Sequence, residues 1–221
     1  MTESLFSGMK VIDCGSYIAG PAATTIMAEY GADVIKIEPL GAGDSYRQVS
    51  GLPGMPPSEL EYGALMTNRS KRGLAIDLQT ADGHRVVHRL AAEADVFVTN
   101  LPLRTREKLG VDYATLSALN ERLVYGSFTA FGEVGDESAK PGFDTTAYWA
   151  RSGLMDQVRV SAADEPAKSV PGLGDHPSAM ALYGGLMTAL FQRERTEKGR
   201  SYDPRCSPMG CGRTAIWPRP R

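Results

Sequence analysis

The sequence predicts an α/β fold built on a mostly parallel sheet, and three observations carry that expectation. Short apolar runs suited to buried strands alternate with segments whose apolar residues recur at helical spacing. The first two runs flank a helix-sized segment, giving a strand–helix–strand unit of about thirty residues, the connection that a parallel pair requires. The composition is that of a globular chain: 221 residues, 42% hydrophobic and 23% charged, enough for a substantial core and unlike disorder or a fibre.

The elements follow in order. Residues 9–14 (MKVIDC) form a buried strand, residues 15–20 the turn, and Pro21 sits where the first turn of a helix tolerates it. The helix covers residues 22–30 and ends at Gly31, and residues 33–38 (DVIKIE) return as the second strand. A loop rich in glycine and proline occupies residues 41–57, long enough to suggest function rather than mere connection. Residues 73–77 are the next strand. Residues 80–94 are a helix with an apolar stripe of Val86, Val87, Leu90 and Ala91. Strands at 95–99 and 123–128 bracket a short helix at 112–120. Helices are expected over 143–153 and 177–196, the latter with Pro177 in its first turn and Lys198-Gly199 as its stop.

Charge and sequence pattern exclude several classes. Lys plus Arg is 24 against 26 for Asp plus Glu, a net charge of −2, which argues against nucleic acid or an anionic membrane surface as partner. No run approaches the roughly 18 apolar residues of a membrane span, and the first residues lack the cationic and apolar pattern of a secretory signal. Cys14, Cys206 and Cys211 form no metal-type framework, so a cytoplasmic protein with free thiols and no metal is expected. Residues 201–221 stand apart, with Arg205, Arg213, Arg219 and Arg221 against the single acid Asp203, and with four prolines that interrupt any period.

Three segments are candidates for chemistry. The first turn, CGSYIAGPA, could hold a phosphate at a helix N-terminus, and Glu38 imitates the ribose-binding acid of nucleotide folds. The turn does not match G-x-G-x-x-G, however, and an ordinary strand-to-helix connection accounts for it as well. His84 and His88 have metal-ligand spacing on a helix, but Arg85 replaces the glutamate of H-E-x-x-H, and surface histidines explain the pair better. In PGLGDHP, residues 171–177, Asp175 stands before a helix of small residues. It reads either as a helix cap worth about 1 kcal/mol or as a carboxylate held ionised by the helix dipole. Gly172 and Gly174 would let a ligand approach closely.

Four segments in order, VIDCGSYIAGPAATTIMAEYGADVIKIEPLGAGD, NRSKRGLAIDL, ADVFVTNL and GLGDHPSAMALYGGLMTALFQRERTEKGR, resemble the family III coenzyme A transferases from about residue 7 to 200. That family includes formyl-CoA and carnitine-type CoA transferases and the α-methylacyl-CoA racemases. The resemblance implies a Rossmann-like sheet with flanking helices, acyl-CoA and a small carboxylic acid as substrates, and an interlocked homodimer. It places the catalytic aspartate on Asp175, which would attack the thioester and form an aspartyl covalent intermediate. The neighbouring glycines would then offer N–H groups to the oxyanion. It places contacts to coenzyme A at Ala19, at Ile76, Asp77 and Leu78 beside the adenine part, at Asn100 and Leu101, and at Lys108 on a phosphate. Each of these also reads as strand-end packing or a solvated cation. Lys108 stands where arginine is usual and Pro39 where some transferases carry an arginine, so the bidentate fork on phosphate is lost.

One position divides the family's chemistries. The racemases pair the aspartate with the histidine of a G-H-D motif, and here that motif reads Gly142-Phe143-Asp144. Phenylalanine carries no proton, and His176 beside Asp175 is a poor substitute. The pattern leaves the family at Ser201, which implies a truncated or frame-altered member lacking the small second domain. The domain then spans residues 1–200, with 201–221 an atypical basic tail expected to add nothing to the core. Leu186, Leu190 and Phe191 are expected to be left uncovered. Beside the acyl-CoA transferase stand a racemase-like isomerase, a non-catalytic CoA-binding module and, more distantly, a dinucleotide oxidoreductase.

Overall fold

The computed structural model describes residues 4–53 and 55–202. In chain order, β1 (Lys10–Asp13), α1 (Ala19–Glu29) and β2 (Asp33–Glu38) form the first unit. A 3-10 turn over Ser45–Gly51 and α2 (Tyr62–Asn68) precede β3 (Arg72–Ala75). Then come α3 (Ala81–Glu93), β4 (Val96–Thr99), α4 (Leu103–Lys108), α5 (Tyr113–Leu119) and β5 (Val124–Ser127). A π-helical segment over Asp144–Ala150 and the single-turn α6 (Leu154–Gln157) lead to the long α7 (Asp175–Thr196) and the short β6 (Ser201–Tyr202).

The six strands form one sheet in the order β3-β2-β1-β4-β5-β6, and every pairing is parallel. The order reverses direction between β1 and β4, the place where open parallel sheets leave a crevice beyond their strand ends. Alternation within each strand fills two layers. Val11, Val98 and Val124 face α1 and α7, together with Met27, Leu182 and Leu186. Their neighbours Ile12, Phe97 and Tyr125 face the other way and pack with Val87 of α3 and Leu116 of α5. Phe97 and Tyr125 stack with ring centroids 5.6 Å apart. In β5 a Cβ on Gly126 would stand 3.0 Å from Leu186 and 3.1 Å from Val98, so the missing side chain lets α7 sit close to the sheet.

Local chemistry explains the boundaries. Thr80 caps α3 by accepting from Gly83 N–H at 3.0 Å, and Asp112 caps α5 by accepting from Thr115 N–H at 3.0 Å. Gly31, at φ +97°, closes α1 in the left-handed region that favours glycine. α2 and α4, with 7 and 6 residues, are too short to show a period, and the sequence pattern missed both. β3 ends at Ala75, two residues earlier than expected, which leaves Ile76–Leu78 in the turn beyond the strand. Among the described residues no helix is long and apolar enough to cross a membrane.

Two expectations about the end of the chain change. Leu186 and Leu190 are 0% and 8% exposed, because α7 turns them onto the sheet; only Phe191, 62% exposed, stays open, with the Arg195 guanidinium 4.5 Å over its ring. Ser201 and Tyr202 pair with Tyr125 and Gly126 of β5, and Tyr202 packs beside the layer formed by α1 and α7. The rest of the basic tail, with Cys206, Cys211 and the expectation of disorder, lies outside the described residues.

Leu182→Ala should cost about 2–5 kcal/mol in urea unfolding, because Leu182 is fully buried between α7 and the sheet. Leu5→Ala, at a residue 75% exposed, should stay within about 0.5 kcal/mol.

Candidate functional site

The turn from β1 to α1 is held by buried charges. Asp13, at the end of β1, accepts from Gly15 N–H at 2.9 Å and Thr24 Oγ1 at 2.8 Å, and its carboxylate lies 2.7 Å from Lys71 Nζ. Lys36, in the middle of β2, reaches under the turn to the Gly15 carbonyl and to Asp44 Oδ2 at 3.0 Å. Asp44 also accepts from Ser16 Oγ at 2.8 Å and Tyr46 N–H at 3.0 Å, fixing the glycine-rich loop against the turn. Burial alone would raise the Asp13 pKa, but Lys36 and Lys71 hold it below the usual carboxylate range. Burial lowers Lys71 to about 8, only partly offset by Asp13. Asn100, just past β4, donates to Ser16 O and accepts from Ser16 N–H, both at 2.8 Å, and so bridges the point where the strand order reverses.

Two cavities open at these strand ends. The larger, about 620 Å³, lies over β2 and β3, between Ile37, Leu40, Ile76 and Leu101, with Lys108 at its wall. The smaller, about 280 Å³, lies over β4 and β5, walled by Ile18, Phe128, Phe143 and Ala147 and holding Asp144 and Asp175. Ser16 and Leu101 line both, so the two adjoin. Arg106 fixes this junction from behind: its guanidinium donates to Leu101 O at 2.6 Å, Ser127 Oγ at 2.5 Å and Phe128 O at 3.1 Å.

Asp175 is the first residue of α7 and makes no capping bond; Gly174 stands at the cap position. The cap reading therefore fails for Asp175. Burial first, and the Asp144 charge second, push its carboxyl up to about 7. That direction is opposite to the one the helix dipole alone would favour. Asp144, at the start of the π-helical segment, accepts from Gly174 N–H at 3.3 Å, so this glycine N–H is engaged and is not a free oxyanion donor. Gly172 keeps the left-handed φ of +77°.

The CoA-transferase family III model matches residues 6–205. The chain belongs to CoA-transferase family III. It is 36% identical over 196 residues to the (R)-2-hydroxy-4-methylpentanoate CoA-transferase of Clostridioides difficile, covering 88% of this chain and 49% of that protein. It is 38% identical over 197 residues to the cinnamoyl-CoA:phenyllactate CoA-transferase of Clostridium sporogenes, covering 89% and 47%. A crystal structure of a CAIB/BAIF family protein from Brucella suis superposes with a TM-score of 0.83 at 32% identity, over 93% of this chain and 54% of that one. The chain spans about half the length of the curated relatives it matches.

The residues that the family resemblance singled out gather at the two cavities. Ile76, Asp77, Leu78 and Lys108 line the larger one, Ala19, Asn100 and Asp175 the smaller, and Leu101 both. Asn100 is engaged with the backbone of Ser16, which makes it a strap on the turn as well as a wall. Asp77 accepts from Gln79 N–H at 2.9 Å and shapes its own turn. Glu38, the ribose-acid mimic, is taken up by Arg47 through two bonds of 2.7 Å. His176 lines a separate cavity with Met66 and Met180, away from Asp175. His84 and His88 stack at 6.0 Å, and His88 Nε2 meets Gly110 O at 2.8 Å. Sequence reasoning missed Lys36, Asp44, Lys71 and Arg106; the one signal was a lysine inside an otherwise apolar strand, DVIKIE.

The raised Asp175 pKa fixes the sign of a stability change. Between the unfolded value of about 4 and the folded value of about 7, the folded chain binds the extra proton, so the stability due to this group falls as pH rises. Asp175→Asn should therefore gain stability relative to the parent chain between pH 5 and pH 8, with about 4 kcal/mol as its ceiling. Carbon-13 NMR of the Asp175 carboxyl should titrate near pH 7, and Asp144→Asn should lower that midpoint; a midpoint near 4 in the parent would contradict the geometry.

Proposed function

We propose that this chain carries the CoA-binding and acyl-transferring half of a family III acyl-CoA transferase, with Asp175 as the nucleophile. The observation that carries the reading is the position of Asp175. It lies half-buried in a chamber that adjoins, at Ser16 and Leu101, a cavity wide enough for the nucleotide end of coenzyme A. The apolar walls Ile37, Leu40 and Ile76 suit an adenine ring, and the exposed ammonium of Lys108 suits a phosphate. The relatives whose names specify CoA transfer to carboxylic acids support the same chemistry.

The steps balance without an external reagent. The ionised Asp175 attacks the thioester carbonyl, the C–S bond breaks, and the CoA thiolate leaves a mixed anhydride. The thiolate then attacks the aspartyl carbonyl, releasing the donor carboxylate and leaving CoA on Asp175 as a thioester. The acceptor carboxylate attacks that thioester and expels the thiolate, which takes the acyl group from the new anhydride and restores Asp175. Covalent catalysis divides one difficult exchange into easier attacks on activated carbonyls. The nucleophile must be ionised, so activity should rise with pH through about 7, the value to which burial and Asp144 bring this carboxyl.

The racemase reading gains no support. The position at which the racemase motif carries its histidine is Phe143, whose ring lines the same cavity and carries no proton. The second titratable group there, Asp144, is a carboxylate like Asp175 rather than an imidazole.

Incubation of the chain with an acyl-CoA should add a covalent adduct to Asp175, visible by mass spectrometry after borohydride or hydroxylamine trapping. Asp175→Asn should abolish it, because a neutral amide is a far weaker nucleophile. An unchanged adduct yield in that variant would sink the proposal. Solvent deuterium should not enter the α-carbon of a 2-methylacyl-CoA at an enzymatic rate; exchange that depends on Asp175 would favour the racemase.

A further inference from the structure

The smaller cavity has a chemistry of its own. Ile18, Phe128 and Ala147 are buried in its wall, while Phe143, 66% exposed, forms its outer edge and meets Tyr17 edge-on at 6.1 Å. Its charged groups are two carboxylates, Asp144 and Asp175, and no lysine, arginine or histidine lines it among the described residues. The nearby lysines are committed elsewhere: Lys36 to Asp44 and the Gly15 carbonyl, Lys71 to Asp13 and the Pro21 and Thr67 carbonyls. At about 280 Å³ the space sits at the low end for ligand pockets, of the size of an acyl group rather than of a whole cofactor.

From this lining we infer that the site takes the acyl group of an apolar monocarboxylic acid and discriminates against dicarboxylic acyl groups. The inference rests on the reading of Asp175 as the acyl-accepting residue. An apolar chain extending from the thioester would lie on Ile18, Phe128 and Phe143 and lose its contact with water, a gain proportional to the area covered. A second carboxylate at the chain's end would enter the same walls beside Asp144. It would lose hydration with no cation among the described lining residues to replace it, and it would meet a like charge in a medium of low dielectric. Discrimination of this kind comes from the repulsive element as much as from the attractive one.

The test uses two acyl groups of nearly equal shape, 5-methylhexanoyl and glutaryl, which differ by an isopropyl end against a carboxylate. Each is supplied as the CoA ketone analogue in which CH2 replaces the thioester sulfur, so that no transfer occurs. Calorimetric titration of the full 221-residue chain, with coenzyme A itself as reference, gives the affinities. The 5-methylhexanoyl analogue should bind at least tenfold more tightly than the glutaryl analogue. Phe143→Arg, which places a cation at an exposed edge of the cavity, should shrink or reverse that ratio. Equal or tighter binding of the glutaryl analogue to the parent chain, while coenzyme A still binds, overturns the inference and leaves the CoA site standing. An unchanged ratio in the arginine variant overturns the placement of the acyl group against Phe143. Failure of coenzyme A and both analogues to bind removes the reading of the site and this inference together.

Discussion

Four charges withdrawn from water hold the front edge of the sheet together. Asp13 from β1, Lys36 from β2, Lys71 before β3 and Asp44 from the glycine-rich loop are all nearly inaccessible, and each is bonded to the next or to a backbone group. Removing one partner from such a cluster strands a buried charge and typically costs about 3–5 kcal/mol, whereas replacing a whole pair by apolar groups can be neutral. The cluster is therefore weak evidence about stability and strong evidence about geometry. It ties the turn after β1 to the loop after β2, two segments that share no regular secondary structure, and it does so through bonds with fixed directions.

The cavities inherit their shape from that constraint. The Ser16 hydroxyl bonds to Asp44, and its backbone is clasped by Asn100 across the gap between β1 and β4. Arg106 does for the turn after β4 what Lys36 does for the turn after β1: a buried cation takes up the carbonyls of Leu101 and Phe128, which lie beyond β4 and β5. The result is a floor of satisfied backbone groups at the carboxyl ends of four parallel strands. Ligand-facing side chains stand on it with little freedom to drift. A site held by strands and buried charges keeps its spacing better than one held by loops alone.

The short continuous apolar runs of the strands made the sheet legible, because a parallel strand buried on both faces carries apolar residues at successive positions. α3 was visible through its stripe, and α1 and α7 through the proline and glycine at their ends; α5, at 7 residues no longer than α2, was placed only by the strands on either side, and α2 and α4 were missed. The end of the sheet was hidden for a different reason. Ser201 and Tyr202 form only two residues of strand, and their role shows through the register with β5 and the fit of the Tyr202 ring over Gly185, both long-range facts. The site was legible only through the family resemblance. Nothing in the spacing of Asp13, Lys36, Asp44 and Lys71 announces a network, because the sheet order brings together residues that lie tens of positions apart. The local cap argument misjudged Asp175, since it considered the helix dipole and omitted Asp144, thirty-one positions away.

That omission shows how the site balances stability against reactivity. Asp144 acts on α7 in two ways at once. By accepting from Gly174 N–H it anchors the start of the helix, and through its charge it opposes ionisation of Asp175 one residue later. A carboxylate kept fully ionised by strong donors would be stable and sluggish, because its lone pairs would already be engaged. Asp175 instead accepts no hydrogen bond among the described residues, sits largely out of water and titrates near neutrality. Its anion is correspondingly costly to hold in the folded chain and correspondingly basic toward a carbonyl carbon, since Brønsted behaviour links the two. On the proposed reading, the same placement of Asp144 disfavours a second carboxylate at the far end of an acyl chain lying in the chamber. If Asp175 is the nucleophile as proposed, its reactivity and the proposed preference for an acyl group without a second charge both follow from one electrostatic feature, the placement of Asp144 beside the first turn of α7.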